Sequence, residues 1–382
     1  MIEVTRTGAL RSPAATGPST RPALRVGVVQ HRWQPDPEAV KAELNDGIAR
    51  AADQGAGVVF LPELTLSRYP ADTLPDGCPA DLAEDLTAGP TFAFAAAAAR
   101  RHDVCVQASL YERADGPDGR GLNTAILVSP DGGLLARTHK LHIPAATGYY
   151  EDRYFRPGPA AADAYRVHAP AELDGARLGL PSCWDQWFPE LARLYALGGA
   201  EVLVYPTAIG SEPDFPDFDT QPIWQKVILG NAVANGLFMV VPNRWGNEGN
   251  VTFYGSSFIC DPYGRVLVQA PRDESAVLIA DLDLDQCAHW RTLFPFLDTR
   301  RPDTYGALVE PAAGVPGGVG PDGLPGEVPG TGAVGPVPSG VPGTAAVPGG
   351  ASGAPAGPAG VQPSGVVPPG GVVPSGYAYT GG

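Results

Sequence analysis

Between Leu24 and about Gly306 the chain alternates short β-rich apolar runs with helical stretches, and the strands outnumber the helices. With too few helices to cover every strand, one α/β core is expected to pack two sheets face to face with helices outside. That is a layered sandwich rather than a single doubly wound sheet. The first strand is predicted over 24–30, followed by a helix over 37–54 that Asp36 caps and Pro37 opens. A strand over 57–61 puts Pro62 and Glu63 at its carboxyl end, where α/β proteins tend to place their chemistry. A helix over 91–102 leads to strands over 104–111 and 123–128, and Asp131-Gly132 marks a hairpin turn. The strand over 134–138 then delivers His139, Lys140, Leu141 and His142. Later strands are predicted over 202–205, 237–241, 255–260 and 276–280, with a helix over 223–235 closed by Gly236.

Three regions follow from composition. Of 382 residues 44% are hydrophobic, enough for a sizeable core, but 49 Gly and 42 Pro exceed what a globular domain uses. Most of the excess falls in 311–382, which has no Lys or Arg, Asp322 and Glu327 as its acids, and Val-Pro-Gly repeats starting at Val315, Val328, Val341 and Val347. Such a stretch offers little burial to offset chain entropy, so a disordered tail is expected there. Residues 1–23 mix Arg, Thr, Ser, Pro and Gly without a signal-peptide apolar core and read as a disordered arm, leaving 24–310 as the folded domain.

No run reaches the length of a membrane span, and the expected location is the cytoplasm. Five widely spaced cysteines with no CxxC pair suggest neither a disulfide framework nor a zinc site. His139 and His142 flank Lys140 without the carboxylate or cysteine spacing that would complete a metal set. A net charge of −15 argues against nucleic acid and anionic membrane as partners and is compatible with a cationic small molecule.

Cys183 lies between a short apolar strand over 176–180 and a helix predicted to run on from Pro189. A thiol at a strand-to-helix corner sits near backbone N–H groups that lower its pKa and bind an oxyanion, although a packed, inert thiol is the common alternative. Glu63 follows an apolar run and a proline, which suits a general base, although taken alone a helix cap or surface carboxylate is the commoner fate of a glutamate there. Lys140 ends a strand and could hold charge against an oxyanion or simply be solvated. Together the three supply what amide hydrolysis needs without histidine: a nucleophile, a base and a positive charge at the tetrahedral oxygen.

At this point the chain resembles the nitrilase superfamily of carbon-nitrogen hydrolases, through LPE at 61–63, THKLHIP at 138–144 and CWDQWFPE at 183–190, in that order. The resemblance extends from about Leu24 to Leu308 and includes YPTAIGSEP at 205–213, VPNR at 241–244, TFYGSSF at 252–258 and RRPDTY at 300–305. It is most similar to the N-carbamoylputrescine amidase branch. It implies a four-layer αββα sandwich, a homodimer or higher homo-oligomer and no cofactor, with Cys183 as nucleophile, Glu63 as base and Lys140 as oxyanion partner. Glu151 would be a supporting carboxylate, and the backbone N–H of Trp184 part of the oxyanion site.

The chain departs from the branch at Pro181-Ser182 before the cysteine, and at Ile223 and Asn231, where histidines are usual. The acidic, aromatic loop 211–219 could hold an ammonium tail through Glu212 and Asp214, or be a solvated loop. Asn243 and Arg244 are further substrate-binding candidates. The resulting expectation is hydrolysis of an N-carbamoyl amine, with N-carbamoylputrescine favoured, to amine, CO2 and ammonia. The alternatives are a β-ureidopropionase or ω-amidase, which would need an arginine for a carboxylate, and a non-catalytic dimeric scaffold.

Overall fold

The computed structural model describes residues 3–310. Along the chain the strands and helices begin β1 (Glu3–Thr7), β2 (Leu24–Gln30), α1 (Pro37–Asp53), β3 (Val58–Phe60), α2 (Pro90–His102) and β4 (Cys105–Glu112). Then come β5 (Gly121–Val128), β6 (Leu134–His139), β7 (Phe155–Arg156), β8 (Leu178–Gly179), α3 (Pro189–Leu197) and β9 (Val202–Val204). The last part holds α4 (Gln221–Asn235), β10 (Phe238–Val241), the hairpin β11 (Trp245–Asn247) and β12 (Thr252–Tyr254), β13 (Phe258–Cys260), β14 (Val266–Gln269), β15 (Ala276–Leu282) and α5 (Asp285–Leu293). One sheet runs β1-β15-β2-β3-β4-β5-β6 with β7 beside β5, and the other runs β14-β13-β10-β9-β8.

Strand periodicity explains the layering. In β2 and β3, Val26, Val28, Val58 and Phe60 face Leu178, Val202, Val204, Phe238 and Val240 of the other sheet, forming the core between the sheets. The intervening residues Val29 and Val59 face outward to Leu44 and Ile48 of α1 and the alanines of α2. On the far side Leu203, Met239 and Val241 meet Leu191 and Tyr195 of α3 and Trp224 and Ile228 of α4. The result is the αββα sandwich expected. Helix α1 approaches closely because Gly47 has no side chain: a Cβ there would lie 2.7 Å from a methyl of Val29. Asp36 caps this helix by accepting the Glu38 N–H at 3.0 Å.

The disordered-arm reading of residues 1–23 is corrected for the part described. Strand β1 pairs in parallel with β15, Glu3 opposite Ala276 through Thr7 opposite Ala280, and Val4 packs on the outer core. Further along, Ser12 bonds Tyr263 at 2.7 Å, Ser19 bonds Asp283 at 2.7 Å, and Arg21 pairs with Glu201. Composition misleads here because the arm builds no core of its own; it docks on the open ladder of β15. The tail at 311–382 lies outside the described residues. Among the described residues no helix is long and apolar enough to cross a membrane.

Deleting residues 1–9 would reopen the β15 edge and expose Val4's site. Calorimetry should show the thermal midpoint falling by about 1.5 °C or more, the change expected of roughly 1 kcal/mol in a folded chain this size. An unchanged midpoint would show that the arm rests on the sheet without stabilising it.

Candidate active site

Both sheets contribute to one buried cluster. Glu63 follows β3, Lys140 follows β6, and Cys183 opens a 3-10 turn (Cys183–Trp187) between β8 and α3. The strand expected over 176–180 is reduced to Leu178–Gly179, so the cysteine is carried by the turn and fixed by its own N–H, which donates to Pro206 O at 2.9 Å. Glu151 sits in another turn, Glu151–Arg153, and is 1% exposed rather than an outward loop carboxylate. Glu63 and Lys140 are 0% exposed and Cys183 5%.

An ammonium removed from water needs counter-charge, and here it has two carboxylates. Lys140 Nζ lies 2.8 Å from Glu63 Oε1 and 2.6 Å from Glu151 Oε2. Burial opposes the lysine's charge, but Glu151 and Glu63 outweigh it and raise its pKa. Burial and the neighbouring Glu63 push the Glu151 carboxyl up to about 7, against the pull of Lys140. Burial, with Glu63 adding to it, also raises the Cys183 thiol well above its ordinary value, so it needs a base to become a nucleophile. Among the described residues Glu63 Oε2 is buried without a hydrogen-bond partner, whereas the sulfur has only a weak contact of 3.8 Å to Ala208 O. Among the described residues the Trp184 N–H has no acceptor, as expected near a helix start.

Supporting residues come in part from positions the sequence reading did not single out, Asn123 and Tyr69, and in part from within the two strings that carry Lys140 and Cys183. Asn123 of β5 donates to Glu63 Oε1 at 2.8 Å, while its carbonyl accepts the Lys140 N–H at 2.8 Å. Tyr69 OH donates to Glu151 Oε1 at 2.9 Å. Asp185 accepts the N–H groups of Ser182 at 3.0 Å and His142 at 2.9 Å, and contacts His142 Nδ1 at 2.7 Å. The cysteine turn is thereby tied to the chain just after Lys140. Two signals were available: an Asn inside an apolar strand, and the Ser-x-x-Asp spacing at 182–185 that often opens a helix.

Beyond the cluster lies a cavity of about 300 Å³. Its lining includes Cys183 and Glu151 of the cluster, the apolar Trp184, Trp187, Ile209, Phe218 and Ile223, and Glu212. Tyr149 OH accepts the Gly210 N–H at 3.1 Å and donates to Ser211 O at 3.0 Å, which fixes the start of the acidic loop. Glu212 is half-buried, accepts from Thr220 at 3.2 Å, and is pushed up in pKa by burial. The described lining includes no Arg, Lys or His.

Three of the expected substrate-binding residues are not brought there. Asp214 is exposed on the loop and does not line the cavity. Asn243 is 0% exposed and bonds Ile209 and Gly255. Arg244 is likewise fully buried, facing Glu248 and the backbone beside Glu63. The polar groups of Asn243 and Arg244 are consumed in joining loops, which their position after an apolar strand did not disclose.

Residues 25–292 match the carbon-nitrogen hydrolase family. The chain is 35% identical over 291 residues to a citrullinase of Francisella tularensis, with 75% of this chain and 98% of that protein covered. It is 36% identical over 271 residues to an N-carbamoylputrescine amidase of Solanum lycopersicum, with 69% and 87% covered. The crystal structure of a carbon-nitrogen hydrolase from Helicobacter pylori aligns with a TM-score of 0.66 and 31% identity, covering 75% of this chain and 98% of that one.

If the charge arrangement about Lys140 governs turnover, kcat/KM should fall on the acid side as pH drops through about 7, where Glu151 takes up a proton. The sign follows from a carboxyl held above its ordinary range: the ionised form prevails above that pH and is lost below it. A profile flat down to pH 5.5 would show that ionised Glu151 is not required.

Proposed function

Because the chain belongs to the carbon-nitrogen hydrolase family, we propose that it hydrolyses the ureido group of an N-carbamoyl amine bearing a cationic tail, N-carbamoylputrescine being the favoured substrate. Cys183 is the nucleophile. As its sulfur adds to the ureido carbonyl, Glu63 Oε2 takes the thiol proton and the carbonyl π pair moves onto oxygen. The oxyanion is met by the Trp184 N–H and by Lys140, which has three N–H donors of which Glu63 and Glu151 occupy two. Collapse breaks the bond to the substituted nitrogen; that amine leaves with the proton from Glu63, and a carbamoyl group remains on sulfur. Glu63 then deprotonates a water that attacks this carbonyl. The carbon-sulfur bond breaks, the proton returns to sulfur, and the released carbamate decomposes to CO2 and ammonia. Glu151 holds Lys140 in place throughout.

The observation that carries the choice of substrate is the cavity lining: a half-buried carboxylate, Glu212, among aromatic walls, with no basic side chain among the described lining residues. An ammonium tail gains charge and cation-π contact there. A carboxylate tail finds no arginine, Arg244 being committed elsewhere. This weighs against the β-ureidopropionase and ω-amidase readings. The scaffold reading is disfavoured by the retention and convergence of all three reacting groups. A second reading has specific support: similarity to the citrullinase extends over 98% of that protein. The α-ammonium of citrulline would use Glu212, leaving its carboxylate to Thr220 and solvent. A cytoplasmic homodimer belongs to the same proposal, with exposed Leu194 and Leu197 of α3 and Leu293 and Phe294 at the end of α5 available for an interface.

Ammonia release should be measured with N-carbamoylputrescine, L-citrulline and N-carbamoyl-β-alanine. The first is expected to have the highest kcat/KM, and Glu212→Gln should raise its KM about fivefold or more with kcat within twofold, the pattern of lost ground-state binding. Preference for the carboxylate substrate would overturn the cationic assignment, and preference for citrulline would select the second reading.

A further inference from the structure

A buried ion pair outside the cavity has no part in the steps above. Arg244 and Glu248, both in the segment around β11, are 0% and 4% exposed and meet through Nη1 at 2.8 and 2.9 Å. Arg244 Nη1 also reaches Ser67 O at 3.2 Å, and Nη2 donates to Glu63 O at 2.7 Å and Leu64 O at 2.9 Å. The peptide it grips is unusual: Leu64 has φ of 48°, a left-handed conformation that a branched, buried side chain seldom adopts. Glu248 Oε2 in turn accepts the Tyr69 N–H at 2.8 Å, and Tyr69 is the residue whose hydroxyl bonds Glu151 at 2.9 Å. One ion pair therefore holds the backbone of one carboxylate on Lys140 and the anchor of the other.

We infer that Arg244 and Glu248 form a positioning brace that sets the geometry of Glu63 and Glu151 around Lys140. The inference rests on the proposed role of Glu63 as base. A buried ion pair is a weak source of net stability, since its desolvation offsets its attraction, whereas a planar guanidinium whose Nη1 is held by Glu248 aims Nη2 at two adjacent carbonyls and fixes a strained peptide in one orientation. A lysine keeps the charge beside Glu248 but cannot make the same fork.

The test uses the full chain with N-carbamoylputrescine, or citrulline if that is the better substrate, and compares Arg244→Lys, the double variant Arg244→Met with Glu248→Gln, and Glu63→Gln. Folding is checked by circular dichroism and thermal midpoint. The brace predicts that Arg244→Lys folds, with kcat lowered about 10- to 100-fold, the scale of a misplaced reacting group, and KM within threefold. It also predicts that the acid limb of kcat/KM moves, as both carboxylates shift against the ammonium. If Arg244→Lys does not fold, the double variant, which leaves no unpaired buried charge, is read by the same criteria. A folded variant with kcat within threefold of the parent overturns the inference. So does failure of both variants to fold, which would make the pair purely structural, or equal loss in kcat and in folded fraction. If Glu63→Gln retains activity, the reading of Glu63 as base fails instead; if Glu63→Gln is inactive and Arg244→Lys is not impaired, the brace alone fails.

Discussion

Lys140 is an ammonium with no access to solvent, and the site is organised around making that tolerable. A lone charge in such a place would cost several kcal/mol even after relaxation, so Glu63 and Glu151 must both be present and both be oriented. Their own burial is costly in turn, which explains the further hydrogen bonds from Asn123 and Tyr69. Three charges of alternating sign, once assembled, leave Glu63 Oε2 without a partner next to a thiol whose pKa burial and Glu63 have raised. On the proposed reading, the cluster pairs a thiol whose pKa is raised with a carboxylate that can take its proton.

The fold delivers this cluster by bringing strand ends from two sheets together. Glu63 and Lys140 are fixed by β3 and β6 of one sheet, and Cys183 by the turn after β8 of the other. A shift of one sheet over the other would separate the sulfur from Glu63 and Lys140. Packing of Val58 and Phe60 against Leu178, Val202 and Val204 opposes that shift. Across the same junction Asp185 ties the cysteine turn to His142, and Arg244 reaches from the end of β10 to the carbonyl of Glu63. Catalytic geometry and inter-sheet packing are one constraint here, consistent with preorganisation as the main source of rate.

Much of this was legible from sequence because the periodicity of β2, β3, β5 and β15 and the capped start of α1 express local rules. The three residues proposed to react were recognisable through motif strings in a fixed order rather than singly. What could not be read was long-range: the docking of residues 3–7 on β15, the approach of Tyr69 to Glu151, and the burial of Arg244. An arginine after an apolar strand can point to a cavity or into the fold, and only the bend that follows β10 decides it. Asp214 and Glu212 are two residues apart on one loop, yet one is exposed and the other reaches the cavity, a difference set by the anchoring of Gly210 and Ser211 to Tyr149.

Everything proposed for this cluster turns on whether Cys183 becomes covalently carbamoylated during turnover. Rapid acid quench of the enzyme turning over N-carbamoylputrescine, followed by peptide mass spectrometry, tests it most directly. The account predicts a transient gain of one carbamoyl group on the peptide containing Cys183, absent in Cys183→Ala, which should release no ammonia. An adduct on another residue, or ammonia release by Cys183→Ala at near the parental rate, would contradict it.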